Sequence, residues 1–419
     1  MKRLIGNVVK IIDKASVYAI LQVAIRVFSG PMSIYLIATK LPIEQQAIYY
    51  IFISVSALQW VFELGMSTCL IQRLSGERCS EKVKSLINVG TGYFLLSSII
   101  TYLAMTLYCF WVLGSSNETD WLSSWLLYAS TVSLIIVSNV LFLIEESQGS
   151  REYAYKSKFY SGVLQTVFLI SSLYLGAGLY SLAISGAVYI LSLCFLLRGS
   201  FVRLRSSLES YDLIEVKSAF KEILPHLTKT SFIWVSGYFY WNFYNVYIYK
   251  YVSIELSAQF GLSNAILSAI SFAMIAFLQT KRTNIGELIF DGKKDQTYKL
   301  FFGATGLAIF TYSLLSIVAL YIIFQLGLEE RVLTGEFLYS LVVIRLVALM
   351  FECLLIYLRC FRDEPLVKIT TIFYVLIPAS AVLSNIMLGV ESLLLIPIVL
   401  HCVLLLSSIG RSKRFVQNF

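Results

Sequence analysis

The chain contains eight stretches of at least 19 residues that lack Asp, Glu, Lys and Arg. They cover residues 85–117, 121–144, 159–197, 230–249, 256–280, 300–328, 369–390 and 392–410. A helix that crosses a bilayer needs about 20 apolar residues with few charges. Charged residues make up 14% of the 419 residues, whereas soluble domains contain about 25%. The sequence therefore predicts an all-α integral membrane protein and excludes an ordinary soluble enzyme.

The number of membrane spans follows from these stretches and from three more that contain ionisable residues. We expect 159–197 to form two helices, because it is too long for one crossing and Gly176-Ala177-Gly178 predicts a tight turn. The three further spans are 16–38 with Arg26, 44–66 with Glu63, and 336–358 with Arg345 and Glu352. The sequence thus predicts twelve transmembrane helices.

The positions of Lys and Arg predict how the chain is oriented. Of the 33 Lys and Arg residues, 28 fall in seven alternate segments: the N-terminus, the loops after spans 2, 4, 8 and 10, the middle connection and the C-terminus. Cytoplasmic loops collect Lys and Arg, while translocated loops lack them. We therefore expect both termini to be cytoplasmic. The net charge of +8 reflects this topology, and no nucleic-acid partner is predicted.

The predicted spans divide into two lobes of six helices. A shift of 211 residues places spans 1, 4 and 5 on spans 7, 10 and 11, and internal repeats of this kind are common in transporters. We expect an N-terminal lobe at 1–198, a cytoplasmic linker at 199–225 and a C-terminal lobe at 226–419. Residues 1–15, basic and apolar, are expected to form an amphipathic helix at the membrane surface.

Several segments resemble one family of membrane proteins. Five segments look similar to those of bacterial polysaccharide repeat-unit flippases. They are the aromatic start of span 2, the acidic-x-Gly end of that span, the polar helix that follows it, the loop after span 4 and the start of the second half. Such flippases are the O-antigen transporters of the MATE-like (MOP) exporter superfamily. The segments are Ala47–Tyr50, Phe62–Gly65, Cys69–Ser75, Glu145–Arg151 and Lys221–Pro225.

The resemblance implies a MOP/MATE-like fold and a function in polysaccharide biosynthesis, such as that of lipopolysaccharide. Such a protein lies in the bacterial cytoplasmic (inner) membrane. It moves an undecaprenyl-diphosphate-linked oligosaccharide from the cytoplasmic to the periplasmic leaflet by alternating access. The implied partners are this lipid-linked glycan, the bilayer, a coupling proton or sodium ion and other polysaccharide assembly proteins.

Two arginines are the main candidates for substrate binding. Arg26 and Arg345 lie about ten residues into their spans, near the bilayer midplane. A charge there is costly by several kcal/mol, so each should face a water-filled cavity or a partner. Guanidinium groups bind phosphate oxygens bidentately and keep their charge. The structural alternative is that each arginine pairs with an acid such as Glu63 or Glu352.

Two carboxylates are candidates for ion coupling. Glu352 lies two helical turns beyond Arg345, on nearly the same helix face. A carboxylate in a partly dry cavity binds a proton more readily, so Glu352 is a candidate proton or cation site. Glu63 is the second candidate, and a salt bridge between helices or with a loop is the interpretation that its position nearer the membrane surface favours.

Span 7 is unusually rich in aromatic residues. Lys229, Tyr240 and Tyr244 fall roughly on one face of this helix. Such a face combines an ammonium group that attracts phosphate with rings that stack on sugars. Tyrosines also favour membrane interfaces and helix packing. Asn139 of span 4 is a further candidate to line the cavity, or to form a hydrogen bond between helices.

The sequence gives little support for a metal site, a cysteine pair or a nucleotide-binding loop. His226 and His401 lie in different halves, the seven cysteines form no CxxC pair, and there is no GxxxxGK[ST] phosphate loop. We therefore predict no metal, no cofactor and no catalytic residue. A multidrug or organic-cation antiporter of the same superfamily should favour acidic residues in its cavity. A membrane-embedded polysaccharide polymerase should have a sizeable outer loop, yet the outer loops near 113–120 and 326–335 are short.

Overall fold

The computed structural model describes residues 14–74, 79–114, 120–209, 213–361 and 365–417. Within these ranges every regular element is a helix, as the sequence predicts. The predicted surface helix at 1–15 lies almost entirely outside the described residues. The backbone divides into two compact units, Met1–Tyr238 and Phe239–Phe419. The predicted lobe boundary at 199–225 stays a prediction.

The first unit is built from nine helices of the described part and most of a tenth. They are α1 (Lys14–Lys40), α2 (Ile43–Ser56), α3 (Leu58–Glu63), α4 (Met66–Leu74), α5 (Ser80–Leu113), α6 (Leu122–Gln148), α7 (Arg151–Tyr174), α8 (Tyr180–Leu196), α9 (Arg198–Leu208) and α10 (Leu213–Tyr251). The unit ends inside α10, after Tyr238. Helix α9 and the start of α10 occupy the segment predicted as the linker.

The second unit contains the end of α10 and five further helices of the described chain. They are α11 (Ile254–Phe290), α12 (Lys294–Gln325), α13 (Gly335–Arg359), α14 (Val367–Leu388) and α15 (Leu395–Gln417), with short 3-10 turns at Glu329–Arg331 and Val390–Ser392. The end of α10 and helices α11, α13, α14 and α15 all contribute to one apolar core of this unit.

Eight helical segments of the described residues are long and apolar enough to cross a membrane. They are Ile43–Ile71, Ser80–Leu113, Leu122–Ser147, Ile254–Phe290, Lys294–Gln325, Gly335–Arg359, Val367–Leu388 and Val390–Val416. Helices α8 and α9, which meet at a bend of 72°, make a ninth if they are taken as one span. The chain is therefore a multi-pass membrane protein.

The remaining three of the twelve predicted spans lie in helices that are not among these eight. They are 16–38 in α1, 159–178 in α7 and 230–249 in α10. Helices α7 and α10 contain many Ser, Tyr and Asn residues, which lower mean hydropathy. The total of twelve spans and the cytoplasmic termini stay predictions.

The predicted turn between spans 5 and 6 is present. Helix α7 ends at Tyr174 and α8 begins at Tyr180. Between them, Gly176 has φ of 81° and Gly178 has φ of 58°. These left-handed conformations suit glycine because it has no Cβ.

Span 2 is broken close to Glu63. Leu64 has φ of 53° and Gly65 has φ of 79°, so α3 ends at Glu63 and α4 begins at Met66. The break frees backbone carbonyls that a continuous helix would pair. The Phe62 carbonyl accepts hydrogen bonds from the Tyr93 hydroxyl at 2.9 Å and the Ser97 hydroxyl at 3.0 Å. Side chains of α5 thus stabilise the break.

Candidate functional site

A cleft in the second unit contains three of the residues that the sequence singles out. Helix α10 contributes Tyr240 and Tyr244, one turn apart, and helix α13 contributes Arg345. The spacing of Leu341, Arg345 and Ala348 on α13 places them on one helix face. The same periodicity that buries α13 in the core therefore directs its one central charge into the cleft.

Arg345 is held by hydrogen bonds to a neutral group. Its side chain is buried, at 9% exposure. Nε donates to Oδ1 of Asn264 at 2.9 Å, and Nη2 donates to the same oxygen. The guanidinium also lies over the ring of Trp241, with Cζ 5.0 Å from the ring centroid, a favourable cation–π contact. Asn264 and Trp241 thus position the guanidinium.

The charge of Arg345 has no counter-charge in the part of the chain that the structure describes. Ion pairs found there include Arg73–Glu222, Arg203–Glu145, Arg205–Glu209 and Lys293–Asp291, and none of them involves Arg345. The structural alternative, an ion pair between Arg345 and Glu352, is therefore not formed. A buried charge without a partner is strongly unfavourable, so an anion that enters the cleft would be stabilised by Arg345.

Other residues that line the cleft are polar as well. His401 of α15 is buried, and its Nε2 lies 2.8 Å from the Tyr240 hydroxyl. The Tyr244 hydroxyl is also buried and has no hydrogen-bond partner among the described residues. Tyr244 stacks on Phe260 with ring centroids 5.8 Å apart. The cleft therefore offers donors and aromatic faces together.

The cleft leaves little room for a large ligand. It encloses about 380 Å³ of empty space, including its open mouth. Because this figure includes the open mouth, the enclosed part has room for little more than a small polar group.

Glu352 does not line the cleft that contains Arg345. The Tyr374 hydroxyl is within hydrogen-bonding reach of its carboxylate, and Arg359 acts on it electrostatically. The Tyr374 ring stacks on Tyr240, with centroids 4.3 Å apart and planes 8° apart. Two stacked rings therefore connect Glu352 with the cleft.

The other predicted site residues lie in the first unit. Arg26 lies in α1 and Lys229 in α10, and their side chains are outside the described part of the structure. Asn139 is half-buried on α6. Glu63 ends α3, where it accepts a hydrogen bond from the Ser67 hydroxyl at 2.5 Å. The roles predicted for these four residues stay predictions.

Sequence reasoning missed Asn264 and His401 as members of this site. Each is a polar side chain inside a charge-free stretch, at 256–280 and 392–410. A histidine within a membrane span is a functional candidate by default, and this signal points to His401. Single polar residues such as Asn264 are common in such helices, so its role is visible only from its contact with Arg345 in the structure.

Comparisons with known proteins agree on the fold. No protein-family model matches the chain, and no curated protein sequence matches it. An inward-facing multidrug resistance MATE family transporter of the MOP superfamily has a TM-score of 0.65 at 13% identity, covering 95% of this chain and 98% of the other. The lipid II flippase MurJ, in an inward closed conformation, has a TM-score of 0.61 at 16% identity, covering 94% and 87%.

A third solved structure of this kind is the MATE multidrug transporter DinF-BH in complex with R6G. Its TM-score is 0.61 at 12% identity, and the match covers 95% of this chain and 94% of the other. Such matches extend over nearly the whole length of both proteins. The chain therefore has the fold of the MATE-like transporters of the MOP superfamily.

Proposed function

We propose that this protein is a flippase for an anionic lipid-linked oligosaccharide. In this proposal it moves an undecaprenyl-diphosphate-linked polysaccharide repeat unit, such as an O-antigen unit, from the cytoplasmic to the periplasmic leaflet of the bacterial inner membrane by alternating access. The protein acts as a carrier rather than an enzyme. The fold supports a transport function, because it is shared with a lipid II flippase and with multidrug transporters.

The single observation that carries the proposal is the uncompensated charge of Arg345. The guanidinium lies in a cleft, buried, with Asn264 and Trp241 as its contacts. A charge in this position is expensive to maintain unless a ligand uses it. Arginine matches the geometry of phosphate oxygens with its planar fork, so a diphosphate is the ligand that this site favours.

The aromatic side chains of the cleft suit the adjoining glycan. Tyr244 and Phe260 present stacked rings, and the buried Tyr244 hydroxyl has no partner among the residues described. Sugar rings pack their apolar faces on aromatic rings and offer hydroxyl groups to such donors. We propose that the first sugar after the diphosphate lies against these rings, with the lipid tail in the bilayer.

Residues of the first unit have proposed roles as well. Arg26 and Lys229 would add positive charge for the diphosphate, and Asn139 would contact the glycan. Glu63 of the first unit and Glu352 of the second unit are the carboxylates proposed for ion coupling. These assignments rest on the sequence and on the resemblance to repeat-unit flippases, as does the cytoplasmic position of both termini.

An organic-cation exporter is the second candidate function. The aromatic rings of the cleft favour it, because Trp241, Tyr244 and Phe260 could stack on a flat organic ligand. The DinF-BH transporter with the same fold is described in complex with R6G. The positive charge of Arg345 argues against this function, since it would repel a cation from the cleft.

The two functions are separated by transport in proteoliposomes. One arm measures leaflet exchange of a fluorescent prenyl-diphospho-N-acetylglucosamine, using a membrane-impermeant quencher. The other arm measures uptake of a cationic dye. We expect the wild type to exchange the diphosphate lipid, and Arg345→Gln to lose at least about tenfold in rate, because a hydrogen-bonded charge contributes about 1.5–3 kcal/mol.

Arg205→Gln is the matched control for this experiment. Arg205 is exposed and pairs with Glu209 at the surface, so the Arg205→Gln variant should exchange the diphosphate lipid at the wild-type rate. Dye transport without diphosphate-lipid exchange would support the exporter. Full exchange by correctly folded Arg345→Gln would refute the proposed role of the cleft.

A further inference from the structure

We propose that the cleft of the second unit binds a proton together with its anion, and that His401 is the residue that takes the proton. The proposal rests on the proposed function, whose site it shares, and it adds a proton and its binding residue to that site. His401 lies on α15 with 2% exposure, and it lines the same cleft as Arg345.

The hydrogen bonds of His401 define two states that share one geometry. Nδ1 lies 2.7 Å from the Pro397 carbonyl oxygen, which only accepts, so Nδ1 carries a hydrogen. Nε2 lies 2.8 Å from the Tyr240 hydroxyl, which can donate or accept. His401 can therefore be neutral and accept from Tyr240, or protonated and donate to it, without moving a heavy atom.

The state of His401 determines where the Tyr240 hydroxyl hydrogen points. When His401 is neutral, that hydrogen is bound to Nε2. When Nε2 gains a proton from solvent, the Tyr240 oxygen becomes the acceptor and its hydrogen turns away from the histidine. Tyr240 lines the cleft, so this hydrogen can then reach a ligand oxygen. Proton uptake thus adds one positive charge and one hydrogen-bond donor to the cleft.

The charges around His401 link this proton to anion binding. The titratable groups that face the pair are Arg345 and Glu352 on α13, Tyr244 on α10 and Tyr374 on α14. Arg345 already holds an uncompensated positive charge. A second one beside it in a low-dielectric site is unfavourable until an anion is present. An anion and the proton therefore favour each other's binding, and linkage makes the effect reciprocal.

The expected consequence is an anion affinity that rises as pH falls. Protonated His401 binds the anion more tightly than neutral His401, so affinity increases as the pH is lowered through the range in which His401 titrates. A coupling of about tenfold is typical between linked ligands. We therefore expect the affinity to rise about tenfold as the pH is lowered across that range.

The test counts protons when a defined probe binds to the purified full-length protein. The probe is a short-chain prenyl-diphospho-N-acetylglucosamine, a diphosphate diester without a group that titrates near neutral pH. Binding heats measured in buffers of different ionisation enthalpy give the number of protons taken up. We expect net uptake by the wild type at the pH where its affinity changes most steeply, loss of that uptake in His401→Gln, and a flat pH dependence of affinity in this variant.

His226→Gln is the matched control, since His226 is the other histidine of the chain and lies 14 residues before Tyr240, about 21 Å along α10. It should keep the proton uptake. Equal uptake in His401→Gln and wild type would overturn the inference. If the wild type binds the probe but takes up no proton at any pH, the inference about His401 is also wrong. This result would leave the proposed function intact, provided that Arg345→Gln still abolishes binding. Absence of probe binding by the wild type would instead refute the proposed function.

Discussion

Two buried charges, Glu145 in the first unit and Arg345 in the second, have opposite surroundings. Glu145 Oε1 accepts from the Ser150 backbone N–H at 3.1 Å. Its Oε2 accepts from the Ser200 hydroxyl at 2.9 Å and pairs with Nη1 of Arg203 at 3.4 Å. Each oxygen of this carboxylate therefore has a partner, and these partners join α6 to α7 and α9.

Arg345 has a neutral amide oxygen and an aromatic face instead of a counter-charge. Its hydrogen bonds within the described chain go to Asn264, and its cation–π contact is with Trp241. A charge whose partners are complete contributes to the fold, because removing it leaves other groups unpaired. A charge whose partners are incomplete gains them when a ligand arrives. The comparison therefore assigns Glu145 to structure and Arg345 to binding.

The largest expected effect on stability follows removal of Glu145. Glu145→Ala leaves the Ser150 N–H, the Ser200 hydroxyl and Arg203 without their acceptor. We expect the free energy of unfolding to fall by about 2–4 kcal/mol, measured by unfolding of the purified protein in mixed micelles. Glu209→Gln is the control: it loses an exposed pair with Arg205 and should change stability by less than about 0.5 kcal/mol. If the two changes lowered stability equally, Glu145 would not have the structural role assigned to it.

Asn264→Asp would give Arg345 the counter-charge that it lacks. The new carboxylate would occupy the position from which Oδ1 already accepts two hydrogen bonds. We expect affinity for the diphosphate probe to fall about tenfold, about 1.4 kcal/mol, while the ligand-free protein becomes no less stable. Titration calorimetry and thermal unfolding measure the two quantities.

Asn385→Asp makes the same chemical change elsewhere in the second unit, at a residue that does not line the cleft. Its amide donates to the Tyr247 hydroxyl at 2.9 Å. We expect this variant to bind the probe with the affinity of the wild type. If both aspartates weakened binding equally, the loss would reflect added negative charge in general rather than neutralisation of Arg345.

A smaller effect is expected at Gly149, which follows α6 and lies against the Glu145 cluster. A Cβ at this position would lie 2.7 Å from Cδ of Glu145 and would overlap the Arg203 guanidinium. We expect Gly149→Ala to cost about 1 kcal/mol of stability, since the long Arg203 side chain can shift. Gly199→Ala on α9, where a Cβ meets no atom within 4 Å, should be neutral or slightly stabilising. Loss of stability in Gly199→Ala alone would contradict this packing.

The sequence predicts the helical class, eight or nine of the spans and the turn at Gly176–Gly178, because these depend on local apolar length and glycine. It also identifies Arg345 and the tyrosines of α10, since a charge near the middle of an apolar stretch is a signal in itself. These residues meet in one cleft of the structure.

The partners of these residues could not be predicted in the same way. Asn264 and His401 lie 81 residues before and 56 residues after Arg345, and only the packing of α11 and α15 against α13 brings them together. The role of Glu145 could not be predicted either, because its partner Ser200 lies 55 residues further along the chain. The sequence suggests an ion pair for Arg345 as one alternative, and the missing counter-charge appears only in three dimensions.

The most direct test of the central claim is thermal unfolding of wild type, Arg345→Gln and Glu145→Ala, each with and without the diphosphate probe. We predict that Arg345→Gln unfolds at or above the wild-type temperature without probe, because a costly buried charge is gone, and that the probe does not stabilise it. Glu145→Ala should unfold at a lower temperature and still be stabilised by the probe. A lower unfolding temperature for Arg345→Gln, with probe stabilisation equal to that of the wild type, would contradict the account.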